Sequence, residues 1–274
     1  MFGSRFSIMG GTPPVVKNLI YLNIIMFLAS LAFKHIYQID LTDYLGVHYF
    51  QSPLFQKYQL ITYMFMHSLT DPTHIFFNMF GLWMFGRILE GVWGSQRFFI
   101  YYFVTGIGAI LINMTVQYIE FSHLQNVIVE FSKNPSPDSF EIIMNKYFSN
   151  FTINPNAIVN WSKDISNPEY TNAAINALKE NYTYLINIPT VGASGAIFGI
   201  LLAFGMLFPN TELMLLFPPI PIKAKWFVLG YGAIELFMGL TQPGSNIAHF
   251  AHLGGMLFGF ILIKYWSSKR TNFY

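Results

Sequence analysis

The chain alternates between long apolar runs and more polar stretches. An apolar run of ~20 residues is long enough for a helix to cross the hydrocarbon core of a bilayer. Runs near this length, or somewhat shorter, occur at six places, with approximate limits 18–33, 74–90, 98–119, 191–209, 226–240 and 247–266. The pattern therefore predicts an all-α, polytopic protein with six membrane-spanning helices. Thr73 is the expected amino-terminal cap of the second span.

The longest polar stretch lies between the third and fourth spans. Residues 120–189 contain seven acidic residues against four lysines, together with clusters of Asn, Pro and Ser. Apolar residues recur at helical spacing in segments 119–131, 140–151 and 173–185. We therefore predict one membrane domain over residues 1–274, which contains an insertion at 120–190 built from amphipathic helices.

Composition supports the membrane assignment. Hydrophobic residues make up 53% of the chain and charged residues only 10%, whereas soluble domains carry ~25% charged residues. The net charge of +2 and the lack of a basic block argue against nucleic acid as a partner. There is no cysteine, which excludes disulfides, thiolate metal sites and cysteine nucleophiles.

The distribution of basic residues predicts the orientation. Lys and Arg concentrate in the short cytoplasmic loops of membrane proteins. With a cytoplasmic amino terminus, nine of the fifteen basic residues lie on the inner side, namely Arg5, Lys17, Arg87, Arg97, Lys223, Lys225, Lys264, Lys269 and Arg270. We therefore expect a cell (inner) membrane protein with both termini cytoplasmic and with the insertion outside the cytoplasm.

Three spans carry polar residues near their outer ends. Ser194 lies in an uncharged run that extends over residues 181–211, and a serine among small residues is by itself ordinary helix packing. His74 and Asn78 begin the second span, and His249 and His252 begin the sixth. Such groups are costly inside a membrane and are functional candidates. Because the second, fourth and sixth spans run in the same direction, all three groups are expected at a similar depth.

The residue types at this depth suit nucleophilic catalysis. Glycines recur at helical spacing beside Ser194 and His252, which favours a close approach of the fourth and sixth spans. Ser194 would then lie within reach of His252, as a nucleophile beside its base. His74, Asn78 and the Ser194 amide are candidate oxyanion donors.

The pattern resembles the rhomboid intramembrane serine proteases. The matching motifs are Gly192-Ala193-Ser194-Gly195, His74-x-x-x-Asn78 and Ala251-His252-x-x-Gly255, supported by Gly86-x-x-x-Glu90-x-x-x-Gly94 and Phe65-Met66-His67. The resemblance implies a six-helix core and cleavage of membrane-anchored proteins in or near a transmembrane helix. It implies a Ser194–His252 dyad without an acid, His74 and Asn78 at the oxyanion, and neither metal nor cofactor. The implied partners are the lipid bilayer and transmembrane protein substrates.

The chain departs from the family pattern in two places. Many rhomboids carry a Trp-Arg pair in the first outer loop, whereas residues 35–73 contain neither Trp nor Arg. The insertion at 120–190 is also unusually long, so its role does not follow from the resemblance.

Two other functions fit some of these residues. Four histidines on the outer side (His67, His74, His249 and His252) suit a metal or haem site. A catalytically inactive rhomboid-like binding protein is the second alternative, although such relatives lose the serine or the histidine.

Three further residues have open roles. Glu235 is either a third catalytic member or a buried structural group, and we expect it deeper than the dyad. Phe198 either packs on His252 or faces lipid. For the base we predict His252 rather than His249, from helix starts expected at Pro189-Thr190 and Asn246.

Overall fold

The computed structural model describes residues 11–152, 154–214, 219–241 and 248–268. These residues are predominantly helical. The helices are α1 (Pro14–Tyr37), α2 (Thr42–Leu45), α3 (Gln59–Thr62), α4 (Pro72–Gly81), α5 (Arg87–Trp93), α6 (Ser95–Lys133), α7 (Pro137–Tyr147), α8 (Pro155–Lys163), α9 (Pro168–Ile186), α10 (Ser194–Leu207), α11 (Ala224–Thr241) and α12 (His249–Ser268). A 3₁₀ turn at Tyr63–Phe65 follows α3, and a π-helical segment at Leu82–Gly86 joins α4 to α5.

One strand pair was not predicted from the sequence. Strands β1 (Glu212–Met214) and β2 (Pro221–Lys223) pair antiparallel between α10 and α11. The pattern of apolar runs predicts no element between the fourth and fifth spans. A three-residue strand is too short to show an alternating pattern of apolar and polar positions.

The chain divides into two compact units. The first contains described residues of Met1–Val47, Gln56–Asn113 and Pro189–Tyr274, and the second consists of His48–Phe55 and Met114–Ile188. Helix α6 belongs to both, because its 39 residues run without interruption across the boundary at residue 113.

Membrane-spanning character is clear in three helices. Within the described residues, α1, the helix Pro72–Trp93 that comprises α4 to α5, and α6 are long and apolar enough to cross a membrane. Helix α10 is apolar but only 14 residues long. Large apolar side chains such as Ile25, Phe76 and Phe237 are exposed on these helices and on α11. A surface of this kind suits contact with lipid, and the protein is a multi-pass membrane protein.

The prediction for the third span was wrong at its carboxyl end. We expected the span to end near residue 119 and a separate amphipathic helix to cover 119–131. Helix α6 instead continues to Lys133. Between 119 and 131 the sequence contains neither Gly nor Pro, so a change from apolar to mixed composition occurs without a helix break.

The second unit has its own apolar core. Leu124 and Phe131 of α6 pack with Phe140 of α7, Trp161 of α8 and Leu178 of α9. Helices α7 and α9 cover most of the predicted segments 140–151 and 173–185, and α8 was not predicted. Each of the three helices starts with proline at its first position and an amino-terminal cap, which is Ser136, Asn154 and Asn167 respectively.

The amino end of α4 begins at Pro72 rather than after Thr73. Asp71 is the cap, and its carboxylate accepts hydrogen bonds from the Thr73 hydroxyl at 2.5 Å and the Thr73 amide at 3.0 Å. These bonds hold the pKa of Asp71 below its ordinary value. Thr73 therefore supports the cap as a donor, and the prediction that it is itself the cap was wrong.

Glu90 connects three helix ends in the first unit. Its carboxylate accepts hydrogen bonds from the amides of Val15 at 3.0 Å and Val16 at 2.8 Å, and from the Ser95 hydroxyl at 2.7 Å. Helix α1 has no side-chain cap of its own, because Pro13 occupies that position. The glutamate of the Gly86–Gly94 motif thus supplies the missing acceptor for α1.

Several predicted features lie outside the described residues. They are the expected start of the sixth span at Asn246, the turn after Thr241 and the basic residues Arg5, Lys269 and Arg270.

Candidate active site

The turn before α10 sets the position of Ser194. Thr190 forms an isolated bridge with Val47, with amide-to-carbonyl distances of 2.8 and 2.9 Å. The Gly192 amide then donates to the Tyr63 carbonyl at 3.0 Å, and Gly192 has φ of +126°, which favours glycine. The helix consequently begins at Ser194. The prediction that it starts at Pro189-Thr190 was wrong, because Thr190 is bonded to another segment.

Ser194 and His252 are in direct contact. The distance from the Ser194 hydroxyl oxygen to His252 Nε2 is 2.8 Å. The helices α10 and α12 that carry them approach so closely that a Cβ at Gly255 would overlap the backbone carbonyl of Gly195. One turn further, a Cβ at Gly199 would meet the Gly255 carbonyl at 3.0 Å. The glycines therefore permit the helix approach that the sequence predicted.

The imidazole of His252 is held by aromatic stacking. Phe198 lies parallel to it, with ring centroids 4.1 Å apart and an interplanar angle of 6°. Tyr231 of α11 also stacks on Phe198, with ring centroids 5.1 Å apart. Of the two roles considered for Phe198, the structure shows packing against His252. A stacked ring limits rotation of the imidazole and so fixes the direction of its nitrogen atoms.

Glu235 of α11 contacts both histidines of α12. Its Oε2 atom lies 2.9 Å from His252 Nδ1 and 2.7 Å from His249 Nδ1. All three side chains are buried, with Glu235 only 6% exposed. The expectation that Glu235 lies deeper than the serine–histidine pair was wrong, because it lies beside His252.

His74 lies next to the turn that leads to Ser194. A Cβ at Gly192 would lie 2.8 Å from His74 Nε2 and 3.6 Å from the Ser194 hydroxyl oxygen. The His67 ring packs edge-on against His74, with centroids 5.1 Å apart. The structure therefore brings His74 close to Ser194.

Asn78 is one helical turn further along α4. Its side-chain amide is buried and donates to the His74 carbonyl at 2.8 Å. This contact is internal to α4.

One group of side chains has the composition of a metal site. Among the described residues, candidate ligand atoms of Glu235, His249 and His252 lie within 4.8 Å of one another. His67 and His74 do not belong to this group, so the four histidines do not form the single site considered from the sequence. In the structure the two Nδ1 atoms face the carboxylate directly.

The sequence missed several residues that shape this site. Tyr63 accepts the Gly192 amide, and its hydroxyl donates to the Gly106 carbonyl at 2.6 Å. The Tyr101 hydroxyl donates to the Gly199 carbonyl at 2.8 Å. A buried tyrosine in an apolar run gives no sequence signal that distinguishes such a role from lipid contact.

The fold and the site define a class of helical membrane protein with a serine and a histidine paired at neighbouring helix ends. The Rhomboid domain family matches residues 54–122 and 169–269, which is more than half of the chain and includes all four predicted site residues. The chain belongs to the rhomboid family.

A similarity to one named relative agrees with this membership. Rhomboid protein 1, mitochondrial, of Saccharomyces cerevisiae (strain ATCC 204508 / S288c) is 34% identical over 83 residues. That alignment covers 30% of this chain and 23% of the yeast protein.

Proposed function

We propose that this chain is an intramembrane serine endopeptidase that cleaves membrane-anchored proteins in or near a transmembrane helix. Ser194 is the nucleophile and His252 is the general base. The observation that carries the proposal is the 2.8 Å distance between the Ser194 hydroxyl oxygen and His252 Nε2. Membership of the rhomboid family, in which serine proteases are common, supports it.

The reaction follows from this contact. His252 Nε2 accepts the Ser194 proton as the hydroxyl oxygen attacks the scissile carbonyl carbon. The resulting imidazolium returns that proton to the leaving amine, which leaves an acyl-enzyme on Ser194. Water then attacks the ester, and the same histidine assists, so that a carboxylate product leaves and Ser194 regains its proton.

The start of α10 suits the developing oxyanion. Ser194 is the first residue of the helix, so its amide has no intrahelical acceptor and the positive end of the helix dipole lies nearby. His74 lies beside the preceding turn, and Asn78 follows it on the same helix face. In the proposed mechanism the Ser194 amide, His74 and Asn78 together stabilise the negative oxygen.

The proposed architecture is a six-span bundle in one domain over residues 1–274. The spans are α1, α4 with α5, α6, α10, α11 and α12. With 14 residues, α10 is ~21 Å long, which is less than the ~30 Å hydrocarbon core. If its carboxyl end reaches the inner surface, the nucleophile at its amino end lies below the outer surface, where a transmembrane substrate meets it.

The proposed location is the cell (inner) membrane with both termini in the cytoplasm. The insertion at 120–190 is then outside the cytoplasm, as the distribution of basic residues favours. The proposed partners are the lipid bilayer and transmembrane protein substrates, without nucleic acid or cofactor.

The proposal is tested with purified protein in lipid vesicles and a single-span reporter. We expect wild type to cleave the reporter and to react with a fluorophosphonate. Ser194→Ala and His252→Ala should each lose cleavage, with a fall on the order of 10⁶-fold by analogy with other serine proteases. Ser267→Ala, at an exposed serine of α12, is the matched control and should cleave normally.

Thermal unfolding of each variant shows whether the fold is retained. Cleavage by folded Ser194→Ala would contradict the proposal. Reporter binding without cleavage by wild type would instead identify an inactive rhomboid-like binding protein.

A further inference from the structure

Beside the proposed general base lie Glu235 and His249, two buried ionisable residues that the proposed reaction does not use. A carboxylate buried in an apolar helix is unfavourable unless it is paired or hydrogen-bonded. Within the described residues, its side-chain hydrogen-bond partners lie on α12, at His249 and His252. The Glu235 carboxylate therefore lies against His252, the proposed general base.

We propose that Glu235 is a positioning residue that orients His252 for proton transfer, and that His249 holds Glu235 in place. This inference rests on the proposed function. It extends the serine–histidine pair to an arrangement of four side chains, in the order Ser194, His252, Glu235 and His249.

The chemistry of the carboxylate determines the tautomer of His252. An ionised carboxylate only accepts hydrogen bonds. At 2.9 Å from Glu235 Oε2, the Nδ1 atom of His252 must therefore carry the proton. Nε2 is then an unprotonated acceptor, 2.8 Å from the Ser194 hydroxyl oxygen. This is the tautomer that the proposed reaction requires.

The carboxylate also acts on the charge that forms during the reaction. When His252 accepts the serine proton, its ring becomes positive. A carboxylate in hydrogen-bond contact stabilises that ring, and the effect is larger in a site of low dielectric constant than in water. Glu235 does not touch the substrate, so it acts through His252.

His249 acts one step further from the reaction. Its Nδ1 atom lies 2.7 Å from the same carboxylate oxygen. Its Nε2 atom is buried without a hydrogen-bond partner in the part of the chain that the structure describes. The contact to Glu235 is consequently the one that defines the role of His249. This hydrogen bond holds the Glu235 carboxylate in position and offsets part of the free-energy cost of burying it.

The same three residues could instead hold a metal ion, since zinc accepts histidine nitrogen and carboxylate oxygen ligands. A metal on His252 Nδ1 would place the imidazole proton on Nε2. That tautomer cannot accept the proton of Ser194. A metal bound here would therefore inhibit cleavage, whereas the proposed contact between Glu235 and His252 supports it.

The test compares Glu235→Gln, Glu235→Asp and wild type in the vesicle assay, with kcat and KM measured separately. We expect Glu235→Gln to lower kcat by about 10²-fold or more with KM nearly unchanged, since the wrong tautomer in a serine protease triad lowers kcat by ~10⁴. Glu235→Asp keeps the charge and should recover part of the loss. His249→Ala should show a smaller fall in kcat.

Glu90→Gln is the matched control, because Glu90 is a buried, hydrogen-bonded carboxylate of the same unit without contact to the dyad. It should lower thermal stability while leaving kcat per folded molecule unchanged. If neutralising any buried carboxylate reduced activity, kcat would fall to the same extent in Glu235→Gln and Glu90→Gln. That result would overturn the inference.

A second readout does not depend on activity. In ¹⁵N-histidine NMR spectra, the resonances missing in His252→Asn identify His252. We expect the Nδ1–H tautomer in wild type and a mixture of tautomers in Glu235→Ala.

The possible failures are distinguishable. Wild-type protein without Ser194-dependent cleavage overturns the proposed function. Wild-type cleavage, with Glu235→Gln unchanged in kcat and His252 unchanged in tautomer, overturns the positioning role alone. A rise in wild-type activity on EDTA treatment that is reversed by zinc would assign the three residues to an inhibitory metal site and overturn the positioning role.

Discussion

In the structure the Asn78 side chain bonds to its own helix, whereas its proposed role is to donate to the oxyanion. Its side-chain nitrogen donates to the His74 carbonyl within α4. An amide nitrogen carries two hydrogens, so this bond uses one and orients the other. An asparagine held in this way is preorganised, because it needs no rearrangement when an oxyanion forms.

We therefore predict that Asn78→Ala lowers kcat by ~10²–10³-fold, the typical effect of losing one oxyanion donor. The measurement is reporter cleavage in vesicles. Asn23→Ala is the matched control, because the Asn23 amide makes the same 2.8 Å bond to the carbonyl four residues earlier, at Leu19 of α1. Equal turnover in wild type and Asn78→Ala would reassign Asn78 to packing.

At the scale of helices, the site depends on how closely α10 and α12 approach. At Gly195 and Gly255 the two backbones lie so close that a Cβ on Gly255 would overlap the Gly195 carbonyl. The hydroxyl of Ser194 and the imidazole of His252 extend from adjacent positions on these helices. The separation of the two helix axes therefore controls the distance between nucleophile and base.

We predict that Gly255→Ala abolishes activity and destabilises the fold. Overpacking against side chains typically costs ~1–3 kcal/mol, and the cost here should be larger because a backbone carbonyl cannot rotate away. Gly230→Ala in α11 is the control, since its Cβ would meet nothing within 4 Å. Unfolding temperature and fluorophosphonate labelling of both variants provide the measurement. Full labelling of Gly255→Ala would show that the helix contact tolerates separation.

The elements of this chain differ in how far the sequence predicts them. Long apolar runs gave helices α1, α6 and α11, because apolar length is a local property. The start of α10 was not predictable, since it depends on the bond between Thr190 and Val47, which are far apart in sequence. The same holds for Glu235. Its position along α11 was visible, but its contact with α12 depends on the helix packing.

At the scale of the whole molecule, the two units differ in chemistry. The first contains the apolar helices and the serine–histidine pair. The second has an aromatic core that includes Phe140 and Trp161, with charged residues on its helices. A separate apolar core with charged residues outside it is typical of a unit that folds in water. The proposed location outside the cytoplasm requires this property.

The orientation is tested by single cysteines, because the chain has none of its own. Asn134 is exposed between α6 and α7, and Lys223 is exposed in β2. In spheroplasts, an impermeant thiol reagent should label Asn134→Cys, whereas Lys223→Cys should react only after lysis. The proposed topology places the two positions on opposite sides of the membrane. The reverse labelling pattern would invert this topology.

Helix α1 is synthesised well before Glu90, the residue that accepts hydrogen bonds from its first amides. The acceptor for the Val15 amide lies 75 residues later in the chain. At a synthesis rate of ~5–20 residues per second, the ribosome needs roughly 4–15 s to reach it. The residues of the first helix are therefore synthesised several seconds before the glutamate that accepts from its first amides. Until Glu90 has been synthesised, the amides of Val15 and Val16 lack this acceptor, and water is the alternative hydrogen-bond partner for a helix end.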